Sequence, residues 1–214
     1  MSQDRLFDVG AVSAAPASNP VKAFAPDQTT NARRVLDLAR LGYLPEPVLD
    51  TTYGLGAMWT RYEPKRLVRM DLDPEKARDL HASYLRLPFA DDAFATVMFD
   101  PPYKYHSHYD AGDSDVQHRY GLCEFMTRDE MDADICAGAV EALRVARQFL
   151  IVKCKDQISG SKARWQTHMI ANALDARLAD MLHLPNYSTG VEQHGRQQRH
   201  TRRNYSTFMV FVPA

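Results

Sequence analysis

The sequence predicts an α/β fold in which a mostly parallel sheet carries helices on both faces. Three observations lead there. Short runs rich in β-branched and aromatic residues alternate with segments of helical period along most of the chain. Three of those runs end at an aspartate followed by a turn sequence, as strands do where they open onto a ligand crevice. Only the last two runs are joined by a polar stretch instead of a helix, so that pair is expected to be antiparallel.

Residues 1–20 are rich in Ala, Ser and Pro with little periodicity and read as a weakly ordered leader, and residues 21–214 read as one domain. Asp27 or Thr29 is placed to cap a helix whose apolar positions Val35, Leu36, Leu38, Ala39 and Leu41 recur at helical spacing, ending near Gly42. Strands are then expected at 47–51, 66–72, 82–85, 95–101, 148–153, 178–184 and 206–212, with helices at 55–60, 73–80, 128–146 and 162–176.

At 214 residues, with 45% apolar and 25% charged positions, the chain is long enough to bury its own core. No apolar stretch approaches the length of a bilayer span, and no basic start followed by an apolar run opens the chain, so the expected location is the cytoplasm. Cys123, Cys136 and Cys154 show no CxxC spacing, which points to reduced core thiols and away from zinc or a disulfide framework. The formal charge of −1 is unevenly spread: Asp91 to Asp134 holds eleven acids against Lys104, Arg119 and Arg128, a local balance of −8. By contrast, Arg196, Arg199, Arg202 and Arg203 lie in a stretch from His194 to Tyr205 without an acid, suited to a polyanion or simply to a solvated loop.

The first odd sequence is Leu49-Asp50-Thr51-Thr52-Tyr53-Gly54-Leu55-Gly56. A strand ending in Asp, then Gly-x-Gly and a helix, suits a nucleoside cofactor: the glycines let backbone approach the ligand and the carboxylate can bind an ammonium group. Taken alone it is more often only an ordinary turn. About twenty residues on, Asp71 ends another strand. A carboxylate there can accept from both hydroxyls of a ribose, while Asp73, before Pro74, is the better helix cap. The third is Val97-Met98-Phe99-Asp100-Pro101-Pro102-Tyr103. Two prolines end the ladder and stiffen the backbone, so that Asp100 and the Pro101 carbonyl form a rigid acceptor pair with Tyr103 as a stacking face beside them, a receptor for a planar amine.

The ordered set Asp50…Gly54-x-Gly56, Asp71 and Asp100-Pro101-Pro102-Tyr103 resembles the S-adenosylmethionine-dependent amino-methyltransferases that methylate exocyclic nitrogens of nucleic-acid bases, from about Pro47 to the C-terminus. The resemblance implies a Rossmann-like class I methyltransferase fold of seven strands with the last reversed. It also implies S-adenosylmethionine as cofactor, held at its methionine end by Asp50, Thr51 and the Gly54 to Gly56 turn and at its ribose by Asp71. Where relatives use an acid to read the adenine this chain has Ser83, followed by Tyr84, and Thr51-Thr52-Tyr53 stands where Pro-Phe is common.

An aromatic amine is a poor nucleophile because its lone pair is delocalised into the ring. If Asp100 and the Pro101 carbonyl each accept a hydrogen bond from it, the nitrogen is drawn toward tetrahedral geometry, with Asp100 acceptor first and base second. A base in a duplex must be flipped out, here to stack on Tyr103, and the segment from Lys104 to Gly121, with Tyr105 and Tyr109, reads as a loop able to close over it. His106, His108 and Asp110 do not amount to a metal site, and the chemistry needs no metal. Phosphates are expected to meet Lys104 and Tyr105, the stretch with Lys153 and Lys155, and Arg196, Arg199, Arg202 and Arg203, while Trp59 and Trp165 read as core or interface aromatics.

The expected substrate is DNA, at adenine N6. Cytosine N4, an RNA base, a glutamine side chain, and a non-catalytic nucleic-acid-binding subunit are the competing readings. Only 43 residues (57–99) separate the glycine turn from Asp100, and 44 (104–147) separate the tetrapeptide from the next strand. That leaves no room for a separate target-recognition domain, so site choice is expected to rest on loops, a homodimer or a partner protein.

Overall fold

The computed structural model describes residues 20–27, 30–102, 127–159, 162–186, 201 and 203–214. In chain order they form α1 (Asn31–Arg40), β1 (Val48–Asp50), a 3-10 turn (Ala57–Trp59), β2 (Leu67–Asp71), β3 (Leu80–His81), β4 (Phe94–Phe99), α2 (Arg128–Arg144), β5 (Ala146–Cys154), β6 (Gln157–Ser159), β7 (Lys162–Arg164), α3 (Gln166–Ala173), β8 (Ala176–Pro185) and β9 (Tyr205–Pro213). Seven strands make one sheet in the order β3-β2-β1-β4-β5-β9-β8. All run parallel except β9, which lies antiparallel between β5 and β8. The expected seven-stranded sheet with its last strand reversed is therefore the observed one.

β4 is buried at every position, as an interior strand covered on both faces must be. Its alternation deals neighbours to opposite layers. Val97 and Phe99, with Leu49, Leu150, Val152, Met209 and Phe211, pack against Ile135, Ala139 and Ala142 of α2 and Ile170 of α3. Met98, with Val48, Ile151, Phe208 and Val210, packs against Val35 and Leu38 of α1. α2 begins with a reciprocal capping box between Thr127 and Glu130. It then lies so close to the sheet that a Cβ on Gly138 would stand 2.6 Å from Tyr84 and 2.8 Å from Phe99. α1 is anchored by the fully buried Arg34, which donates to the carbonyls of His183, Lys22 and Ala23 and to Asp37.

Several boundaries differ from expectation. The cap of α1 is Thr30, whose hydroxyl accepts the Arg33 N–H, in place of Asp27 or Thr29; Thr29 lies outside the described residues. The helix expected at 73–80 is absent, residues 73–79 forming turns and bends and Leu80 opening β3: the segment offers Ala77 and Leu80 as its apolar residues, too little burial to repay helix nucleation. Asp73 still caps locally, accepting the Glu75 N–H and pairing with Lys76. The third strand is Leu80–His81, paired with Met70 and Asp71, because 82–85 turns away around the Ser83 hydroxyl, which accepts from Leu85 N–H. The helix expected at 55–60 is a 3-10 turn, and the one expected at 162–176 starts only at Gln166, since 162–164 pairs with 157–159 as a hairpin. The leader falls almost wholly outside the described residues.

Cys154 is buried and Cys136 half-buried, both as free thiols, and Cys123 lies outside the described residues. Among the described residues, no helix is long and apolar enough to cross a membrane.

Candidate functional site

The parallel order β2-β1-β4-β5 brings four charged residues to one edge of the sheet: Asp71 closes β2, Asp50 closes β1, Asp100 follows β4, and Lys153 lies one residue from the end of β5.

The turn after β1 is built inward. Asp50 is 2% exposed; one carboxylate oxygen accepts the Thr52 N–H at 3.0 Å and the other the Trp59 indole N–H at 2.6 Å. Burial pushes the Asp50 carboxyl up to about 7 against those two hydrogen bonds, and the Asp100 and Asp71 charges add to the rise. Asp50 thus holds the turn and Trp59, a core aromatic as expected. Thr51 is buried, and both its N–H and its hydroxyl donate to the Met98 carbonyl on β4. Gly54 and Gly56 have φ of +57° and +71°, the left-handed region that a side chain disfavours. A Cβ at Gly56 would stand 2.5 Å from the Tyr53 hydroxyl.

Asp71 reaches across to this turn. One oxygen accepts the Gly54 N–H at 2.7 Å and the other the Asp73 N–H at 2.9 Å. A carboxylate has about four acceptor sites, so two remain for ligand hydroxyls. Ser83 uses its hydroxyl within its own turn. Tyr84 packs its ring edge-on against Phe99 at 5.2 Å, beneath α2, so its ring belongs to the core packing.

Asp100 is fixed at two points. Its backbone N–H donates to the Thr52 hydroxyl oxygen at 2.9 Å, and its carboxylate accepts from the Lys153 ammonium at 3.1 and 3.0 Å on its two oxygens. Burial raises its pKa and Lys153 opposes the rise. The Asp100 side chain keeps 19% exposure while that of Lys153 keeps 6%. This corrects the expectation for Lys153, which is an interior ion-pair partner and not a phosphate ligand. The signal was present in Leu150-Ile151-Val152-Lys153-Cys154, because a lysine inside an apolar strand needs a carboxylate to offset its burial. Pro101 is buried and Pro102 half-buried; Tyr103, Lys104 and Tyr105 lie outside the described residues.

Of the other expected phosphate contacts, Lys155 is half-buried and its backbone N–H donates to Gln166. Arg203 is half-buried, stacks on Trp165 at 4.0 Å and donates to the Thr201 hydroxyl. Trp165, 45% exposed, is no core residue. Arg196, Arg199 and Arg202 lie outside the described residues, as do His106, His108 and Asp110. Among the described residues, no group of three or more His, Cys, Asp or Glu side chains could hold a metal ion.

No protein-family model and no curated protein sequence matches the chain. Solved structures do. The N-methyltransferase NodS from Bradyrhizobium japonicum WM9 aligns at 10% identity and a TM-score of 0.51, over 86% of this chain and 94% of that one. A candidate methyltransferase from Bacillus halodurans C-125 aligns at 14% identity and 0.50, over 85% and 100%. The fold is that of the class I methyltransferases. The magnesium protoporphyrin IX methyltransferase ChlM from Synechocystis PCC 6803, solved with S-adenosylmethionine bound, aligns at 14% identity and a TM-score of 0.48 over 86% of this chain and 78% of that one.

Proposed function

We propose that the chain is an S-adenosylmethionine-dependent methyltransferase acting on the exocyclic amino group of a base in DNA, adenine N6 foremost. The observation that carries this reading is Asp100, a carboxylate with one open side, held rigidly beside the glycine turn by Thr52 and Lys153.

The residues present fit the cofactor. The Gly54 and Gly56 backbone has no side chain to obstruct a ligand, and Asp71, bonded to that same turn, retains acceptor sites for two ribose hydroxyls. Asp50 serves by holding the turn in shape through Thr52 and Trp59. Bound there, the cofactor supplies an electrophilic methyl group on a sulfonium centre. Asp100 accepts a hydrogen bond from the target amino group and the Pro101 carbonyl accepts a second, which localises the nitrogen lone pair. As the nitrogen gains its carbon its acidity rises, and Asp100 takes the departing proton and passes it to water. Tyr103 supplies the stacking face for an extruded base, with Lys104, Tyr105, Lys155 and the Arg196 to Arg203 segment along the strand's phosphates. Site choice rests on those segments or on a second subunit, and the work is done in the cytoplasm.

The test is methyl transfer from labelled cofactor to DNA and to RNA, followed by nucleoside analysis. Label in N6-methyldeoxyadenosine is the expected result. Label in N4-methyldeoxycytidine, a ribonucleoside or a glutamine side chain reassigns the substrate, and absence of any heat of cofactor binding makes the chain a binding subunit.

A further inference from the structure

We propose that Lys153 is a positioning residue whose ammonium, clamped on both carboxylate oxygens of Asp100, keeps that group ionised and turns its open side toward the target amine. The inference rests on reading Asp100 as the acceptor in methyl transfer.

The geometry is that of a built pair. Lys153 stands on β5 and Asp100 just past the end of β4, adjacent parallel strands paired through Phe99 and Val152. The ammonium lies 3.1 and 3.0 Å from the two oxygens, so both are engaged from one side and the remaining lone pairs face away from it. Lys153 is 4% exposed, deep enough that its own charge requires the carboxylate. A buried ion pair gains little stability over two apolar side chains of the same size, so stability alone does not account for a lysine in an otherwise apolar strand interior.

Among the described residues, the titratable groups facing Asp100 are Lys153, the Asp50 carboxyl on β1 and the Cys154 thiol on β5. Burial keeps the thiol neutral, and Asp50 repels a second charge, so Lys153 is the group of the three that favours the ionised form of Asp100. Without it, desolvation would act on Asp100 unopposed and push the carboxyl further toward its protonated form. A protonated carboxyl gives up acceptor strength and adds a donor that competes with the amine's own N–H groups.

Three variants test this: Lys153→Arg keeps the charge, Lys153→Gln keeps a donor without it, and Lys153→Met removes both. The carboxyl is read by infrared difference spectroscopy on aspartate-13C-labelled protein, with Asp100→Asn as the blank. In parallel, the pH profile of kcat is measured at saturating cofactor, and calorimetry of cofactor binding reports that each variant is folded. In Lys153→Gln and Lys153→Met, the Asp100 protonation midpoint and the acid limb of kcat are expected to move up together, by about 1–3 pH units, the span an adjacent opposite charge exerts. Lys153→Arg is expected to keep both near wild type, with KM little changed throughout. An Asp100 midpoint unmoved in Lys153→Gln overturns the inference, and so does an acid limb that stays in place while the midpoint moves. If wild type methylates no substrate yet the infrared midpoint shifts, the coupling of Lys153 to Asp100 stands and the methyl-transfer reading is what falls.

Discussion

The Thr52 hydroxyl oxygen accepts the backbone N–H of Asp100 at 2.9 Å, tying the turn after β1 to the residue that follows β4. Thr52 lies two residues before Gly54, so the backbone expected to meet the cofactor and the acceptor expected to meet the substrate share one support. Thr52→Val leaves the Asp100 N–H unpaired, at a cost of about 1–3 kcal/mol. In a domain of this size that lowers Tm by roughly 2–4 °C per kcal/mol. Thermal unfolding with steady-state kinetics is expected to show the lower Tm, a fall in kcat larger than the fall in cofactor affinity, and recovery of both in Thr52→Ser.

Asp100→Ala is expected to abolish methyl transfer while cofactor binding persists, since the residue's proposed work is on the amine. Single-turnover transfer and calorimetry separate the two. Turnover near wild type in that variant removes Asp100 from the mechanism.

Asp50 gives the stability of the fold a pH dependence of definite sign. Its folded carboxyl titrates at about 7, whereas the unfolded chain's titrates at ~3.9. Between those values the folded state holds a proton that the unfolded state has released. Stability therefore falls as pH rises through that window, by up to about 1.4 kcal/mol per unit, and levels off above it. Asp50→Asn keeps an acceptor for Trp59 and has no such proton. Denaturation at a series of pH values is expected to show the variant gaining on wild type between ~4 and ~7; a pH-independent difference would mean Asp50 titrates normally.

Gly56→Ala places a methyl 2.5 Å from the Tyr53 hydroxyl, at a φ of +71°. The left-handed conformation alone costs about 1–2 kcal/mol for a residue with a Cβ. The Tyr53 ring can swing aside, so the fold is expected to persist with a distorted turn. Cofactor affinity measured by calorimetry is expected to fall about tenfold, the equivalent of ~1.4 kcal/mol.

Arg203 stacks on the half-exposed Trp165 beside the β6–β7 hairpin. Replacing Arg199, Arg202 and Arg203 together by alanine is expected to weaken DNA binding and to flatten the plot of log K against log salt, by about 0.9 for each phosphate that is no longer neutralised. An unchanged slope in fluorescence anisotropy assigns these arginines to a surface that the nucleic acid does not meet.

The sheet was legible because its strands advertise themselves. Phe94–Phe99 is apolar at every position but Thr96, Ala146–Cys154 carries the apolar run Phe149 to Val152, and the polar stretch before Tyr205–Pro213 left an antiparallel return as the simplest connection. The acids at strand ends were legible for the same reason: Asp50, Asp71 and Asp100 each interrupt an apolar run just where a turn sequence begins. Local propensity failed at 73–80, where a helical pattern had no apolar face to bury, and at 162–164, where Arg164 is drawn to Asp129 and Asp132 of α2 and the chain forms a hairpin strand.

By itself the sequence determined the α/β class, the place of six of the seven sheet strands, and which carboxylates lie at strand ends, because periodicity and turn chemistry are properties of neighbours along the chain. Only the tertiary structure decided how those carboxylates are engaged: Asp50 bonded to Trp59, Asp71 to Gly54, and Asp100 to Lys153, fifty-three residues away. Such partners are chosen by strand order and burial. In a desolvated interior a charge bonds to whatever donor the packing brings within 3 Å, and separation in sequence carries no record of that choice.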